Sequence, residues 1–585
     1  MGTTPQTTRV GRFCAAAALL AFLLAASPAA AADDFGAGVA GCIRAVLTRP
    51  HKSRPAASRP GALFDAERLT AFYAGRRYRP LWVADSRVLP SARELLECIR
   101  RADREGLDPA DYHLDDLAGL MRGPESVRNP AADPPADFGR WARLDLLLTD
   151  AFLGYAAHLT RGRINPRRFG GRRTASGPLP DPATALRTAL DSGDVAGTLR
   201  SLAPPHAGYR RLKTALQRYR RIAADGGRPR IPDGEMLFPG DSSPRIPLLR
   251  QRLLASGDLD SLPTGDGGNR FNEALARALA RFQRRHGLPA TGTLDAPTLA
   301  ELNVPVAARI HCIETNLERW RWAPRDLGRR HVEVNVPDFT LRVVEDGRTV
   351  LGMRVAVGKP RSPTPVFSSR ITYLVINPTW NIPPRIARED VLPRVQADPD
   401  YLADRRIHVF ASWRSGAPEI DPRTIDWNAI RPARLTYKLQ QEPGPLNELG
   451  RLKFMFPNRD AVYLHDTPDH SQFLRARRDL SSGCIRLEKP VELAARLLRD
   501  NRGWSRAHIE ATIENGREMV VGLKRPIAIH LFYWTAWVDA GGILHFRKDI
   551  YGRDGAMARA LHRPAPAGTV TTAGRDRHRG ARSRF

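Results

Sequence analysis

Near residue 331 the hydrophobic period of this chain changes, and the change limits what it can fold into. Upstream, "SARELLECIRRADREGL" (91–107) and "RLDLLLTDAFLGYAAHLTRGRI" (143–164) space apolar residues at three and four, the period of an amphipathic helix. Downstream, "HVEVNVPDFTLRVVEDGRTVLGMRVAVGK" alternates apolar and polar residues, with Asp346–Gly347 as the turn of a hairpin. One chain of 585 residues thus holds a helical part and a strand-rich part, and its length predicts two to four domains.

The boundaries follow from composition and punctuation. Residues 33–235 are expected to form a helical scaffold, broken at Gly106, Asp108–Pro109 and Asp181–Pro182. The aromatic run "FYAGRRYRPLWV" (72–83) reads as packing. Residues 240–303 form a small helical unit with Phe282, Leu288, Leu294 and Leu299 as its core and turns at Gly287 and Gly292. Residues 304–330 link back to the scaffold, and 331–554 form a mainly-β domain. Inside it, 387–450 is polar, Pro-rich and too long for an ordinary loop, so it is expected to cap the domain. Residues 555–585 are rich in Arg, Ala and Gly with one acidic side chain, and predict a disordered basic tail.

The first 32 residues predict export. Arg9 and Arg12 precede an apolar run over 13–26, too short for a comfortable membrane span, and small residues follow at Ala30–Ala32. The alternative is an uncleaved membrane anchor. The expected location is therefore outside the cytoplasm. A net charge of +29 favours polyanionic surroundings. Of the 91 basic residues only eight are Lys, and none forms an aromatic-interleaved block, which argues against nucleic acid.

Cys14 would leave with the leader, so Cys42, Cys98, Cys312 and Cys484 remain. Their wide spacing is no disulfide framework, pairing among the first three stays open, and no Cys/His spacing points to a metal. Cys484 lies in "RDLSSGCIRLEKP" (478–490). Gly483 would let a substrate carbonyl approach the backbone, the N–H groups of Gly483 and Cys484 are candidate oxyanion donors, and Arg486 would lower the thiol pKa. His465, nineteen residues upstream in "VYLHDTP", is the candidate base. On spacing alone, a core thiol and a turn histidine remain open.

"YLHDTPDHSQFLRARRDLSSGCIRLEKPVEL" closely resembles the L,D-transpeptidase (YkuD) family, whose motif is a histidine followed by Ser/His-Gly-Cys-Ile/Val-Arg. "VGKPRSPTPVFSSRITYLVINPTWNIPPRIAREDVLP" looks like the large, YcbB-like branch, and Ser482 before Gly-Cys agrees with that branch. "FQRRHGLPATGTLDAPTLAELN" resembles the peptidoglycan-binding domain 1 family. The resemblance implies a multidomain α+β protein: helical scaffold, three-helix peptidoglycan-binding module and mainly-β catalytic domain with an inserted cap. It implies Cys484 as nucleophile and His465 as general acid/base, with Ser481, Ser482, Gly483 and Arg486 shaping the site. Tyr463, Trp380 and Asn377 would contact substrate. With no third side chain evident, a backbone carbonyl is expected to orient His465.

The implied reaction joins peptidoglycan stem peptides in a 3→3 cross-link through a Cys thioester with loss of D-Ala. The donor would be a tetrapeptide and the acceptor a diaminopimelate-type amine, with no metal or organic cofactor. An L,D-carboxypeptidase or a lipoprotein-attaching transpeptidase would use the same site. A non-catalytic wall-binding protein is the alternative outside enzymes.

Overall fold

The computed structural model describes residues 28–48, 66–122, 137–172, 178–261 and 268–563. The expected leader lies outside these residues except at 28–32, which open the helix Pro28–Thr48.

The helical part is built round Phe138–Arg161, in which every residue from Leu144 to Thr160 is buried. A helix buried on all sides needs partners for its polar groups, and Asp145 shows how they are met. Its carboxylate accepts the Tyr73 hydroxyl at 2.5 Å and the N–H groups of Leu81 and Trp82 at 2.8 and 2.7 Å. Trp82 Nε1 donates to Thr149 Oγ1 at 2.9 Å, so the aromatic run at 72–83 is locked to this helix. Phe72, Tyr73, Leu81, Trp82 and Val83 all enter the scaffold core.

Helix Val306–Trp322 packs on Ala207–Ala224 and connects the two halves of the molecule. Tyr209, Leu212 and Leu216 meet Trp320, Trp534 and Trp537 in one cluster. The hairpin Ala536–Val538 and Leu544–Phe546 belongs to this cluster and pairs only with itself. Of the last residues assigned by sequence to the mainly-β domain (331–554), only those up to Phe532, in the strand Met519–Phe532, enter its sheet.

Three helices, Ile246–Ser256, Glu273–Arg285 and Ala296–Leu302, make the small module. Phe282, Leu294 and Leu299 are buried in its core, whereas Leu288 is only half-buried and stands outside it. Gly287 and Gly292 hold φ of 71° and 72°, the left-handed turns that favour glycine. His286 stacks on Phe282 and on Phe546, so the module docks against the hairpin.

The tail begins later than expected. Asp554–Leu561 is a helix with Met557 and Leu561 buried, and Asp554 receives Arg319 Nη2 at 2.5 Å. Residues 564–585 of the expected tail lie outside the described residues.

A nine-stranded sheet forms the mainly-β domain. Thr340–Glu345 pairs with both Arg330–Asn335 and Arg348–Gly358, which closes the sheet on itself. Asp346 and Gly347 make the two-residue hairpin turn with φ of 48° and 78°. Leu452, Phe454, Leu464, Ile485 and Leu487 fill the interior.

The inserted segment has its own four-stranded sheet, Trp380–Asn381, Lys438–Gln441, Ile407–Phe410 and Glu419–Ile420. Ile382, Val391, Leu392, Val409, Trp427 and Leu439 form a separate core under it. The insert therefore starts by Trp380, earlier than residue 387, because Ile382 is needed to complete that core.

Candidate active site

Leu464–His465 pairs in parallel with Ile485–Leu487, setting Leu464 beside Ile485 and His465 beside Arg486. Side chains alternate along a strand, so Leu464, Ile485 and Leu487 go to the core while their neighbours face the other way. Tyr463, His465, Cys484 and Arg486 thus share one face. Lys453 joins them, because it pairs with His465 in the antiparallel neighbour Leu452–Met455. The same alternation that builds the core assembles the candidate reactive groups.

That face floors a cavity of about 360 Å³ whose walls come from the insert. Cys484, His465, Tyr463, Ser481, Ser482 and Arg486 line it from the sheet. Trp380, Arg385, Arg394, Tyr401 and Arg405 line it from above, with Asp390 and Glu448 as acids. Arg385 Nη2 reaches the Ser482 carbonyl at 3.3 Å, a direct tie between insert and motif.

Cys484 is bonded to Tyr463, whose hydroxyl also meets Trp380. Burial pushes the Cys484 thiol up, opposed by hydrogen bonds from Tyr463 and by the charges of Lys453 and Arg486. The thiol lowering expected from Arg486 is therefore outweighed, since desolvating a thiolate costs more than two partly screened cations return. Burial is also the main cause holding His465 down at about 3, reinforced by Arg486 and Lys453. The resting pair is a neutral thiol and a neutral imidazole.

The imidazole's tautomer is fixed. His465 Nδ1 lies 2.5 Å from the Asp466 carbonyl, and a carbonyl only accepts, so Nδ1 carries the proton and Nε2 keeps its lone pair. The Leu449 carbonyl, at the end of the insert, also lies against the ring and opposes the lowering of its pKa. The Asp466 carboxylate turns away to accept the Arg451 N–H at 2.9 Å.

The backbone around Cys484 is tightly held. Ser481 Oγ accepts the Gly483 N–H at 3.1 Å and donates to the Cys484 carbonyl at 2.5 Å. Gly483 is thereby removed from the expected pair of oxyanion donors, which leaves the Cys484 N–H. Gly483 has φ of 121°, a conformation that requires glycine, and Thr364 Oγ1 donates to its carbonyl at 2.8 Å. Arg486 Nη1 is anchored on Gln472 Oε1 at 3.1 Å.

Asn377 does not reach the cavity. Its buried amide donates to the carbonyls of Thr512 and Ile513 at 3.2 and 3.0 Å, so it braces the sheet against a helix. Lys453 escaped the sequence reading because nothing in "RLKFMF" marks it. Only the strand register brings it to His465.

All four described cysteines are unpaired. Burial pushes the thiols of Cys98 and Cys312 up to about 11 and about 12. Cys484 alone opens into the cavity beside a histidine.

Residues 329–521 match the model of the L,D-transpeptidase catalytic domain (YkuD). Residues 242–302 match that of the "Putative peptidoglycan binding domain", and residues 67–216 that of the "Scaffold domain". The chain therefore carries a YkuD-family L,D-transpeptidase catalytic domain together with a peptidoglycan-binding module and a helical scaffold. A curated "Putative L,D-transpeptidase" of Haemophilus influenzae is 37% identical over 221 residues. The match covers 38% of this chain and 44% of that protein, less than half its length. Among solved structures, an L,D-transpeptidase from Xylanimonas cellulosilytica is 15% identical, covering 52% of this chain and 99% of that one, with a TM-score of 0.17. One from Stackebrandtia nassauensis is 14% identical, covering 51% and 94%, with a TM-score of 0.20.

Domains that act on the cell wall imply an extracellular or periplasmic location. Among the described residues no helix is long and apolar enough to cross a membrane.

Proposed function

We propose that this transpeptidase forms 3→3 peptidoglycan cross-links through a thioester on Cys484. The observation that carries the reading is the shared strand face, with Cys484, a His465 of fixed tautomer and Arg486 opening into one cavity. His465 Nε2 takes the thiol proton as sulfur attacks the carbonyl of the third stem residue of a tetrapeptide. The oxyanion develops against the Cys484 N–H, and the imidazolium protonates the departing D-Ala amine. A side-chain amine of a neighbouring stem then attacks the thioester. His465 takes the proton from that amine, and the thiol is regenerated.

Neutral resting groups suit this cycle. A permanently charged pair would be stabilised before the substrate arrives, whereas here charge forms only as the proton moves into the transition state. The insert excludes water from the thioester until an amine is bound, which favours transfer over hydrolysis. The chain reaches its polymer through export directed by residues 1–32. The module at 240–303 holds the chain on the glycan network.

Mass spectrometry of muropeptides after incubation with disaccharide-tetrapeptide tests the reading. Cross-linked dimer with loss of D-Ala is the expected product. Tripeptide alone would make the protein an L,D-carboxypeptidase, and unchanged tetrapeptide would remove the catalytic reading.

A further inference from the structure

We propose that His311, Glu314 and His562 form a binding site for a divalent transition-metal ion of the zinc type. The ion would tie the helix Asp554–Leu561 to the helix Val306–Trp322. His311 and Glu314 stand three residues apart on Val306–Trp322, a spacing that puts both on one helix face. His562 caps the C-terminus of Asp554–Leu561, whose packing on Val306–Trp322 brings it within reach across 248 positions of sequence.

The geometry is close to a coordination sphere. One ligand atom from each of the three residues lies within 4.8 Å of the others. Glu314 Oε2 and His562 Nε2 are 3.0 Å apart, and the rings of His311 and His562 have centroids 4.7 Å apart. Donors around a tetrahedral ion with bonds near 2.1 Å sit about 3.4 Å from one another. Glu314 and His562 already approach that spacing. His311 is exposed, so a side-chain rotation can bring its nitrogen in. On binding, the ion replaces the Nε2 proton of His562, and the ring takes the Nδ1–H tautomer.

The surroundings supply what a ligating carboxylate needs. Glu314 is buried, and its other oxygen receives Arg220 Nη2 at 2.7 Å. Arg220 is held in turn by Asp103 through Nη1 at 3.0 Å. Such an outer partner fixes the carboxylate and aims its free oxygen at the ion. It also shares the carboxylate's charge, which makes the affinity lower than an unpaired carboxylate would give. Two imidazoles and one carboxylate select zinc, nickel or cobalt over calcium or magnesium, which prefer all-oxygen shells. Both histidines are exposed, so the fourth position is open to water.

The ion would clamp the second end of a short helix whose first end is already fixed by Asp554 on Arg319. Its role is structural, and the chemistry at Cys484 needs none of it.

Zn²⁺ titrated into the full chain by isothermal calorimetry tests the site, alongside His311→Ala and His562→Ala chains. Both histidines are exposed, so both variants are expected to fold, which circular dichroism checks. One site is expected in the parent chain, with affinity lowered at least about tenfold in each variant. Saturating Zn²⁺ should raise the melting temperature of the parent more than that of either variant. No binding in the parent, or equal affinity in all three chains, overturns the proposal, the second result placing the ion elsewhere.

Discussion

The Lys453 ammonium lies 4.3 Å from the centroid of the Tyr463 ring, and the Tyr463 hydroxyl is bonded to Cys484. A half-buried lysine here holds the tyrosine from below and adds positive charge beneath the sulfur. Burial lowers its pKa, and a thiolate at Cys484 would oppose that lowering. Lys453→Met keeps most of the side chain's length and removes the charge. The pH at which β-lactam acylation reaches half its maximal rate should move upward, with a smaller effect on the plateau. An unchanged pH profile would leave Lys453 a packing residue only.

Cys484→Ala should abolish turnover and all covalent labelling by a carbapenem, read by intact mass. His465→Ala should lower turnover at least about a hundredfold, the usual scale for losing a general acid/base. Labelling of the Cys484→Ala chain would assign the nucleophile to another residue.

Gly358 packs against the Cys484 loop so closely that an added Cβ would sit 2.1 Å from the Ser362 carbonyl and 3.0 Å from Gly483 Cα. Gly358→Ala must therefore displace backbone. Acylation should fall by more than about tenfold although no reacting group is altered. Stopped-flow acylation together with far-UV circular dichroism separates this from unfolding.

Acid should destabilise the fold through its buried histidines. His158 and His465 are held at about 3 and His530 at about 4, chiefly by burial. Between these values and the ordinary histidine pKa near 6.5, the unfolded chain binds protons that the folded chain refuses. Stability contributed by these groups is complete above that pKa and is lost as pH falls toward 3 to 4. Asp145, pushed up to about 6 by burial, acts in the opposite sense between about 4 and 6. At pH 5 these four groups together give a net uptake of about two protons on unfolding. Urea melts at pH 7 and pH 5 should show the loss, and His158→Gln should reduce the slope by about one proton. An equal slope in that variant would count against burial of a neutral His158.

Removing the module at 240–303 should weaken binding to purified sacculi while acylation by a soluble β-lactam stays within about twofold, because none of the module's described residues lines the cavity. His286 stacks on Phe546, so the deletion should also lower the melting temperature. Co-sedimentation and acylation kinetics on the same preparation distinguish a docking module from a catalytic one.

The sequence by itself determined the local order. The three-and-four spacing over 143–164 requires a helix, and because its apolar residues run nearly all round, that helix became the buried axis of the scaffold. Alternation from 331 onward, with Asp346–Gly347 between two runs, specified strands and a hairpin. "SSGCIR" and a histidine nineteen residues upstream named the reactive candidates, since the motif is short and its residue types are chemically uncommon together.

Tertiary structure decided everything that depends on register and burial. The parallel pairing of Leu464–His465 with Ile485–Leu487 puts Tyr463, His465, Cys484 and Arg486 on one face, and the antiparallel strand adds Lys453. Register also sent Asn377 into the helix at Thr512 rather than the cavity. Burial reversed the expected sign at the Cys484 thiol, because desolvation depends on what surrounds a group and not on its neighbours in the chain. The Gly483 N–H was claimed by Ser481, two residues away in sequence but aimed only by the turn between them. His311, Glu314 and His562 lie too far apart in sequence for any spacing rule to join them. Periodicity is a property of neighbours along the chain, while a site is a property of neighbours in space, and only folding converts one into the other.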